Sequence, residues 1–403
     1  MLKKCFCCIF TLLIVLFSLA SCSYSGDKSM LAGGGMGTMG NGDEGGDKTD
    51  GVQIQPGQIT ACAYDDNAHY SYWCSQILNS TENGGAFYEY YNNYRYVTHN
   101  RIKVQLPKNT FAKVALVNPD HTEIFSTVCD KNGTAYLFAP EKSEQYIIEL
   151  EYYRAGESQL TVEYHTVSGD CELDILAENA WQNNIQIAFV IDATGSMTDE
   201  MQYLKAEIAD VISKIRQTNS GANVQTAICV YRDFGDSYVV KSMDFTTNEA
   251  TAQSFLSKQS ADGGGDFPEA VQEAFAESLK FSWSDGATTK LVIHVADAPA
   301  HNNDCSDWQK SVEEFCGMGA RIISVASSGI DKSTEYLFRS QSLISNGCYV
   351  YLTDESGIGN EHLEATVETR PVVEYLNACL IRLINGYHSG TFSEPVSYAV
   401  TNG

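Results

Sequence analysis

"FVIDATGSM", residues 189–197, decides how the rest of the chain is read. An apolar run ends in Asp192, after which Thr194 and Ser196 keep an oxygen-bearing side chain at every second position. The upstream stretch "IQIAFVID" (185–192) reads as a buried strand, and "DEMQYLKAEIADVISKI" (199–215) has the spacing of an amphipathic helix. A strand that turns into a helix at such a place is either a loop that holds a ligand or a strand end with a helix cap.

From about 180 to 388 the same alternation repeats. The strand-like runs "NVQTAICVY", "YVVKSMDF", "KLVIHVAD", "RIISVAS" and "CYVYLTD" are interleaved with the helical runs "PEAVQEAFAESL", "DWQKSVEEFC" and "TEYLFRSQSL". A last helix is expected near 371–386, containing "VVEYLNACLIRLI". Near-continuous apolar strands alternating with helices predict an α/β fold, a doubly wound, mostly parallel sheet covered on both faces. Ligands in such sheets sit beyond the C-terminal strand ends, at the switch point.

Two more acidic loops fall at that edge. "SADGGGDFPEA" (260–270) carries Asp266 and Glu269, with glycines that allow close backbone approach, and "VIHVADAPAH" (292–301) carries Asp297. One carboxylate and two hydroxyls suit a hard divalent cation with octahedral oxygen ligands at about 2.0–2.1 Å, as Mg²⁺ requires. Mn²⁺ and Ca²⁺ are the other candidates. Asp192, Thr194 and Ser196 cannot complete that shell alone, so Glu269, Asp297 or Asp266 must help. Each residue also has a local explanation: Thr194 or Ser196 as a helix cap, Asp266 as an N-cap with Glu269 as its capping-box partner, Asp297 as a turn former.

"DATGSM" resembles the Asp-x-Ser/Thr-x-Ser motif of von Willebrand factor A (vWA) domains, whose metal-ion-dependent adhesion site uses those three side chains. The resemblance covers 180–388 and implies a Rossmann-like fold, a bound divalent cation and a protein partner that offers a carboxylate. The family's loop threonine has no counterpart in "SADGGGDFPEA". Asp-x-Pro-Glu before a helix is instead similar to the I-like domain of integrin β subunits, and the Gly-rich form resembles vWA domains associated with alpha-kinases. That likeness puts Glu269 in the threonine's place and Asp297 in an outer ring. It puts Asp199 and Glu200 where the integrin family holds a second, adjacent metal, although both are also ordinary acids of a helix N-terminus. It further implies that the last helix can shift with the metal site.

Two neighbouring features have plainer readings. In "YRDFGD" (231–236), Arg232 and Asp233 form a structural pair or contact a ligand. His294 and His301 flank Asp297 without any zinc-ligand spacing and read as a strand residue and a loop residue.

The N-terminus addresses compartment. Lys3 and Lys4 precede an uncharged run to Ala20, shorter than the roughly 20 apolar residues of a membrane span, so residues 1–21 read as a secretory signal. "LASC" (19–22) resembles the lipobox of bacterial lipoproteins, implying lipidation at Cys22 and attachment to a bacterial membrane. The overall plan resembles Bacteroidetes lipoproteins, implying the outer membrane with a periplasmic or cell-surface location. Residues 22–56, rich in Gly, Ser and Asp, read as a flexible tether.

Between them, residues 57–170 show short alternating runs such as "FAKVALVN", "GTAYLFAP" and "QLTVEYHTV" separated by turn residues. They predict an all-β sandwich preceding the α/β unit, similar to Ig-like domains of the carboxypeptidase-regulatory type. Within it "AFYEYYNNYRYVTHN" (86–100) is dense in Tyr, either a sugar- or peptide-binding face or strand packing. Residues 389–403 are left as a tail.

Composition narrows the function classes. The net charge is −25, and it becomes −27 once residues 1–21 take Lys3 and Lys4 away, which disfavours nucleic acid and anionic lipid. Of 13 Cys, nine lie beyond Cys22, and Cys305 with Cys316 is the nearest pair to consider for a disulfide. No Gly-x-Ser-x-Gly, HExxH or P-loop occurs, so the chain reads as a binding protein for adhesion or complex assembly rather than an enzyme. The alternatives are a scaffold with a purely structural metal and a metal-assisted hydrolase.

Overall fold

The computed structural model describes residues 54–401. The expected signal segment, Cys22 and the tether up to residue 53 lie outside the described residues. In chain order the first elements are β1 (Thr60–Tyr64), α1 (Tyr70–Leu78) and α2 (Tyr88–Tyr94). An all-β stretch follows: β2 (Arg101–Gln105), β3 (Ala112–Val117), β4 (Glu123–Val128), β5 (Thr134–Phe138), β6 (Tyr146–Tyr153), β7 (Leu160–Val167) and β8 (Cys171–Glu172). The α/β part opens with β9 (Asn184–Asp192), α3 (Thr198–Thr218), β10 (Asn223–Tyr231), β11 (Val240–Thr246), α4 (Glu249–Ser257) and α5 (Val271–Leu279). It continues through β12 (Thr289–Ala296), α6 (Cys305–Gly317), β13 (Ala320–Ala326), α7 (Lys332–Ile344), β14 (Cys348–Thr353), β15 (Glu374–Tyr375) and α8 (Leu376–Ser389).

One eight-stranded sheet organises the molecule, in the order β11–β10–β9–β12–β13–β14–β1–β15. Its five inner strands from β10 to β14 are parallel, as the alternation predicts. Strand β9 shows why its sequence is apolar throughout. Ile185, Ile187, Phe189 and Ile191 face a core shared with α3, α4 and α8. Ala188 and Val190 face the opposite core with α5, α6 and α7. A strand covered on both sides has no polar face to alternate. From β9 the chain moves outward to β10 and β11, then crosses back past β9 to β12. That reversal places the C-terminal ends of β9 and β12 at the switch point.

The structure departs from the expected layout at the N-terminal boundary. The alternating pattern places the stretch from 57 in the sandwich, yet β1 pairs antiparallel with β14 and lies inside the large sheet. Every residue of β14 is buried, so its outer edge needs a partner strand, and a run as short as "TACAY" carries no mark of which sheet it joins. The all-β structure is confined to 101–172, as two small sheets ordered β4–β3–β6–β7 and β5–β2–β8. Buried Arg321 fastens it to the α/β part, donating to the Val128 carbonyl at 2.6 Å and to Thr127 Oγ1 at 3.3 Å.

The Tyr-rich stretch is packing. Tyr90 and Tyr94 stack on Tyr336 of α7 at 6.5 and 6.2 Å between ring centroids. Cys305 and Cys316 are both free. They lie at opposite ends of α6, and 11 positions at 1.5 Å rise put them about 16 Å apart along the axis, far beyond disulfide reach. The expected tail turns back along β15, where the Val396 N–H donates to Glu374 Oε1 at 3.2 Å.

Candidate metal centre

Asp192 ends β9 fully buried. Its Oδ1 accepts from the Thr194 N–H at 2.9 Å and the Thr194 hydroxyl at 2.6 Å, and Thr194 Oγ1 is 3.2 Å from Ser196 Oγ. Ser196 is exposed and opens the cluster to water. Neither hydroxyl caps a helix: no side-chain cap bond forms at the turn after Thr194 or at the start of α3. The local explanation for the alternating oxygens therefore fails here.

The glycine loop is laid directly on this turn. The Asp262 N–H donates to the Ala193 carbonyl at 3.1 Å and the Gly195 N–H to the Gly263 carbonyl at 3.0 Å. Gly264, at φ +72°, sits so close that a Cβ there would lie 2.9 Å from Glu269 Oε1 and 3.3 Å from Thr194 Cβ. Glu269 itself is held by its N–H, which donates to the Pro299 carbonyl at 2.9 Å, so the loop after β12 positions it. Helix α5 begins only at Val271 with no side-chain cap, and Asp266 is not a capping residue.

Asp192, Glu269 and Asp297 are all nearly inaccessible to solvent. Each keeps one buried oxygen without a hydrogen-bond partner: Asp192 Oδ2, Glu269 Oε2 and Asp297 Oδ1. Burial pushes the Glu269 carboxyl up to about 9, and the charges of Asp192, Asp233, Asp297 and Asp236 push the same way. Burial likewise holds Asp192 and Asp297 above the usual carboxylate range: the Asp297 charge adds to it at Asp192 against the Thr194 donors, and the charges of Glu200 and Asp199 add to it at Asp297 against the Ser196 hydroxyl. Buried Arg232 does not relieve them. It donates to the carbonyls of Ala193 at 3.1 Å and Ser260 at 2.9 Å, and its ion pair is with Asp262 at 3.4 Å rather than with Asp233 as expected. Buried carboxylates need a counter-charge, and hydroxyls beside orphaned carboxylate oxygens are the donor set of a hard cation. Asp192, Thr194, Ser196 and Glu269 fit as its holders, with Asp297 behind them.

Asp266 stands elsewhere. It is exposed, and it groups with Asp233 and His301, whose ligand atoms with its own all lie within 4.8 Å of one another. His301 Nε2 is 2.9 Å from Asp233 Oδ1. Reading by spacing missed this group because its members come from three separate loops. Asp192, Glu269 and Asp297 form no such tight group among the described residues. Asp199 and Glu200 each have hydrogen-bond partners, while Glu200 Oε2 is a further buried oxygen without one. Asp199 accepts from Asn360 Nδ2 at 2.7 Å, and Glu200, nearly fully buried, meets His362 Nε2 at 3.1 Å and the Ser328 N–H at 3.2 Å.

With this geometry in place, residues 186–325 match the family model of the von Willebrand factor A domain. The chain carries a vWA domain, a fold whose members serve in general for protein interaction or metal-dependent adhesion. Over 172 residues it is 24% identical to the alpha-protein kinase vwkA of Dictyostelium discoideum, covering 42% of this chain and 27% of that protein. Over 118 residues it is 32% identical to an ariadne-like RING finger protein R811 of Acanthamoeba polyphaga mimivirus, covering 29% of this chain and 11% of that protein. The chain thus spans only a minor part of either relative. Among solved structures, the conserved hypothetical protein BatB from Bacteroides thetaiotaomicron aligns with a TM-score of 0.36 and 11% identity, over 51% of this chain and 99% of that one.

Proposed function

We propose that this protein captures a protein partner through a divalent cation held at the switch point, in adhesion or complex assembly. The observation that carries the reading is the set of orphaned oxygens on Asp192, Glu269 and Asp297 around Thr194 and exposed Ser196. Mg²⁺ is the proposed ion, with Mn²⁺ and Ca²⁺ as alternatives. Asp192, Thr194, Ser196 and Glu269 would hold it, leaving a position toward solvent for a partner's carboxylate. Glu269 brings a full negative charge where a threonine would bring none. The cation is then bound more readily but pulls less strongly on an incoming acid, which favours reversible capture.

The strongly acidic surface argues against nucleic acid as the partner. The sequence carries no Gly-x-Ser-x-Gly, HExxH or P-loop, and the proposal is a binding role rather than an enzymatic one. Attachment through lipidated Cys22, outside the cytoplasm at the outer membrane, belongs to the same proposal. It rests on the "LASC" sequence alone; among the described residues no helix is long and apolar enough to cross a membrane.

The test is a pull-down from cell-surface extracts with the purified chain, in Mg²⁺ and in EDTA, read by mass spectrometry. A partner recovered in Mg²⁺ and lost both in EDTA and with Asp192→Ala is expected. Equal recovery in EDTA would reduce the metal to a structural role and make the protein a scaffold.

A further inference from the structure

Beneath the cation site a line of buried polar side chains crosses the sheet. Tyr231, at the end of β10, is the register partner of Asp192 on β9. Its hydroxyl is 3.1 Å from Nε2 of His294 on β12. On the far side of that ring, Gln341 Nε2 of α7 lies 3.0 Å from His294 Nδ1 and 2.8 Å from Ser324 Oγ. Ser324 Oγ in turn is 2.9 Å from the Phe338 carbonyl oxygen. Tyr231, His294, Ser324 and Gln341 are all fully buried, so no water competes for these bonds.

The directions along this line follow from which groups can donate. The Ser324 oxygen accepts from the Gln341 amide, and its own proton is free for the Phe338 carbonyl or for Ser342 Oγ, 2.7 Å away. With the Gln341 amide nitrogen turned to the ring, His294 Nδ1 is the acceptor and the single proton of the neutral ring sits on Nε2. Nε2 then donates to the Tyr231 oxygen. The Tyr231 proton is then free for Asp192, its neighbour across the β9–β10 pair, whose Oδ2 is without a hydrogen-bond partner.

We propose that Gln341, His294 and Tyr231 are positioning residues for Asp192, a one-way hydrogen-bond relay that aims the Tyr231 hydroxyl at Asp192 Oδ2. Asp192 is then oriented from both ends, by the two Thr194 donors that fill Oδ1 and by Tyr231 on Oδ2, with one lone pair on Oδ2 left for a cation. Partners of this kind fix the orientation of a metal ligand and are worth about 10- to 100-fold in metal affinity. The relay also joins the cation site to α7, whose buried Arg339 is anchored to Asp66 in the N-terminal segment. The proposal rests on the cation reading of the site.

Calorimetric titration of the purified chain with Mg²⁺ and Mn²⁺ tests it, comparing wild type with Tyr231→Phe, Gln341→Met and Asp192→Ala. Each chain is also melted in EDTA. Tyr231→Phe and Gln341→Met are expected to weaken cation affinity about 10- to 100-fold. In wild type the imidazole Nε2–H resonance of ¹⁵N-labelled His294 is expected to move on adding Mg²⁺. If these residues only support the fold, the variants lower the melting temperature in EDTA while affinity stays at the wild-type value and the resonance stays still, and the relay is overturned. Should Gln341→Met not fold, Tyr231→Phe, which removes a single oxygen, decides the matter. Loss of binding in Asp192→Ala with wild-type affinity in the other two sinks the relay alone. Wild-type binding by Asp192→Ala sinks the reading of the site itself.

Discussion

Glu269 puts a third carboxylate into a space that already holds Asp192 and Asp297, and burial raises its titration from 4.5 to about 9. In the metal-free protein this group binds its proton more tightly folded than unfolded. The stability it contributes is complete below the unfolded value and is lost as pH rises toward the folded one. Cation binding must displace that proton, so Mg²⁺ affinity rises over the same window. Scanning calorimetry between about pH 5 and pH 9 should therefore show metal-free melting falling while the Mg²⁺-induced gain grows. Glu269→Gln is expected to raise the metal-free melting temperature and to weaken Mg²⁺ by at least about tenfold, or about 1.4 kcal/mol. A Glu269→Gln chain that binds like wild type would place this side chain outside the coordination. The identity of these acids was legible because loop carboxylates after buried strands are visible in one dimension. Their roles were not: Asp266 and Glu269 are three positions apart, and only the fold turns one outward to Asp233 and His301 and the other inward.

The glycine loop between α4 and α5 is the element that brings Glu269 over Thr194. At Gly264 two demands coincide, a left-handed backbone and the absence of a side chain against Glu269 and Thr194. Gly264→Ala is expected to cost at least about 1–2 kcal/mol from the backbone alone and to weaken Mg²⁺ binding by pushing Glu269 aside. Gly265, with nothing near its added methyl, should tolerate Ala without either effect. Urea unfolding and cation titration of the pair check this; equal behaviour would remove the loop from the site. The glycines marked a close approach in the sequence, but the capping-box reading of Asp266 and Glu269 was equally consistent with spacing. It fails because α5 starts too late for either residue to cap it.

At the scale of the whole molecule, the α/β unit is not self-contained. Strand β1 covers β14, and fully buried Arg339 of α7 pairs with Asp66, 3.0 Å between Nε and Oδ2, and with Glu335 at 3.2 Å. Removing one partner leaves a buried charge short of its counter-ion, so Asp66→Ala is expected to destabilise by about 3–5 kcal/mol. A chain cut to residues 180–388 lacks both β1 and Asp66 and should aggregate through the open edge of β14. Light scattering and denaturant unfolding separate these outcomes. A soluble, cooperatively folding 180–388 fragment would show that the N-terminal segment is dispensable.

Hydrophobic periodicity over 180–388 determined the fold class by itself, because strands covered on both faces must be apolar throughout and the helices between them must be amphipathic. It also determined where a ligand site would lie, since "FVIDATGSM" ends the first strand of that pattern. Only the tertiary structure decided that β1 belongs to the large sheet, that Arg232 serves Ala193 and Ser260 instead of Asp233, and that Tyr231, His294 and Gln341 line up behind Asp192. These are contacts between residues distant in sequence. Their partners are chosen by packing and by the need to satisfy buried polar groups, and neither leaves a periodic trace along the chain.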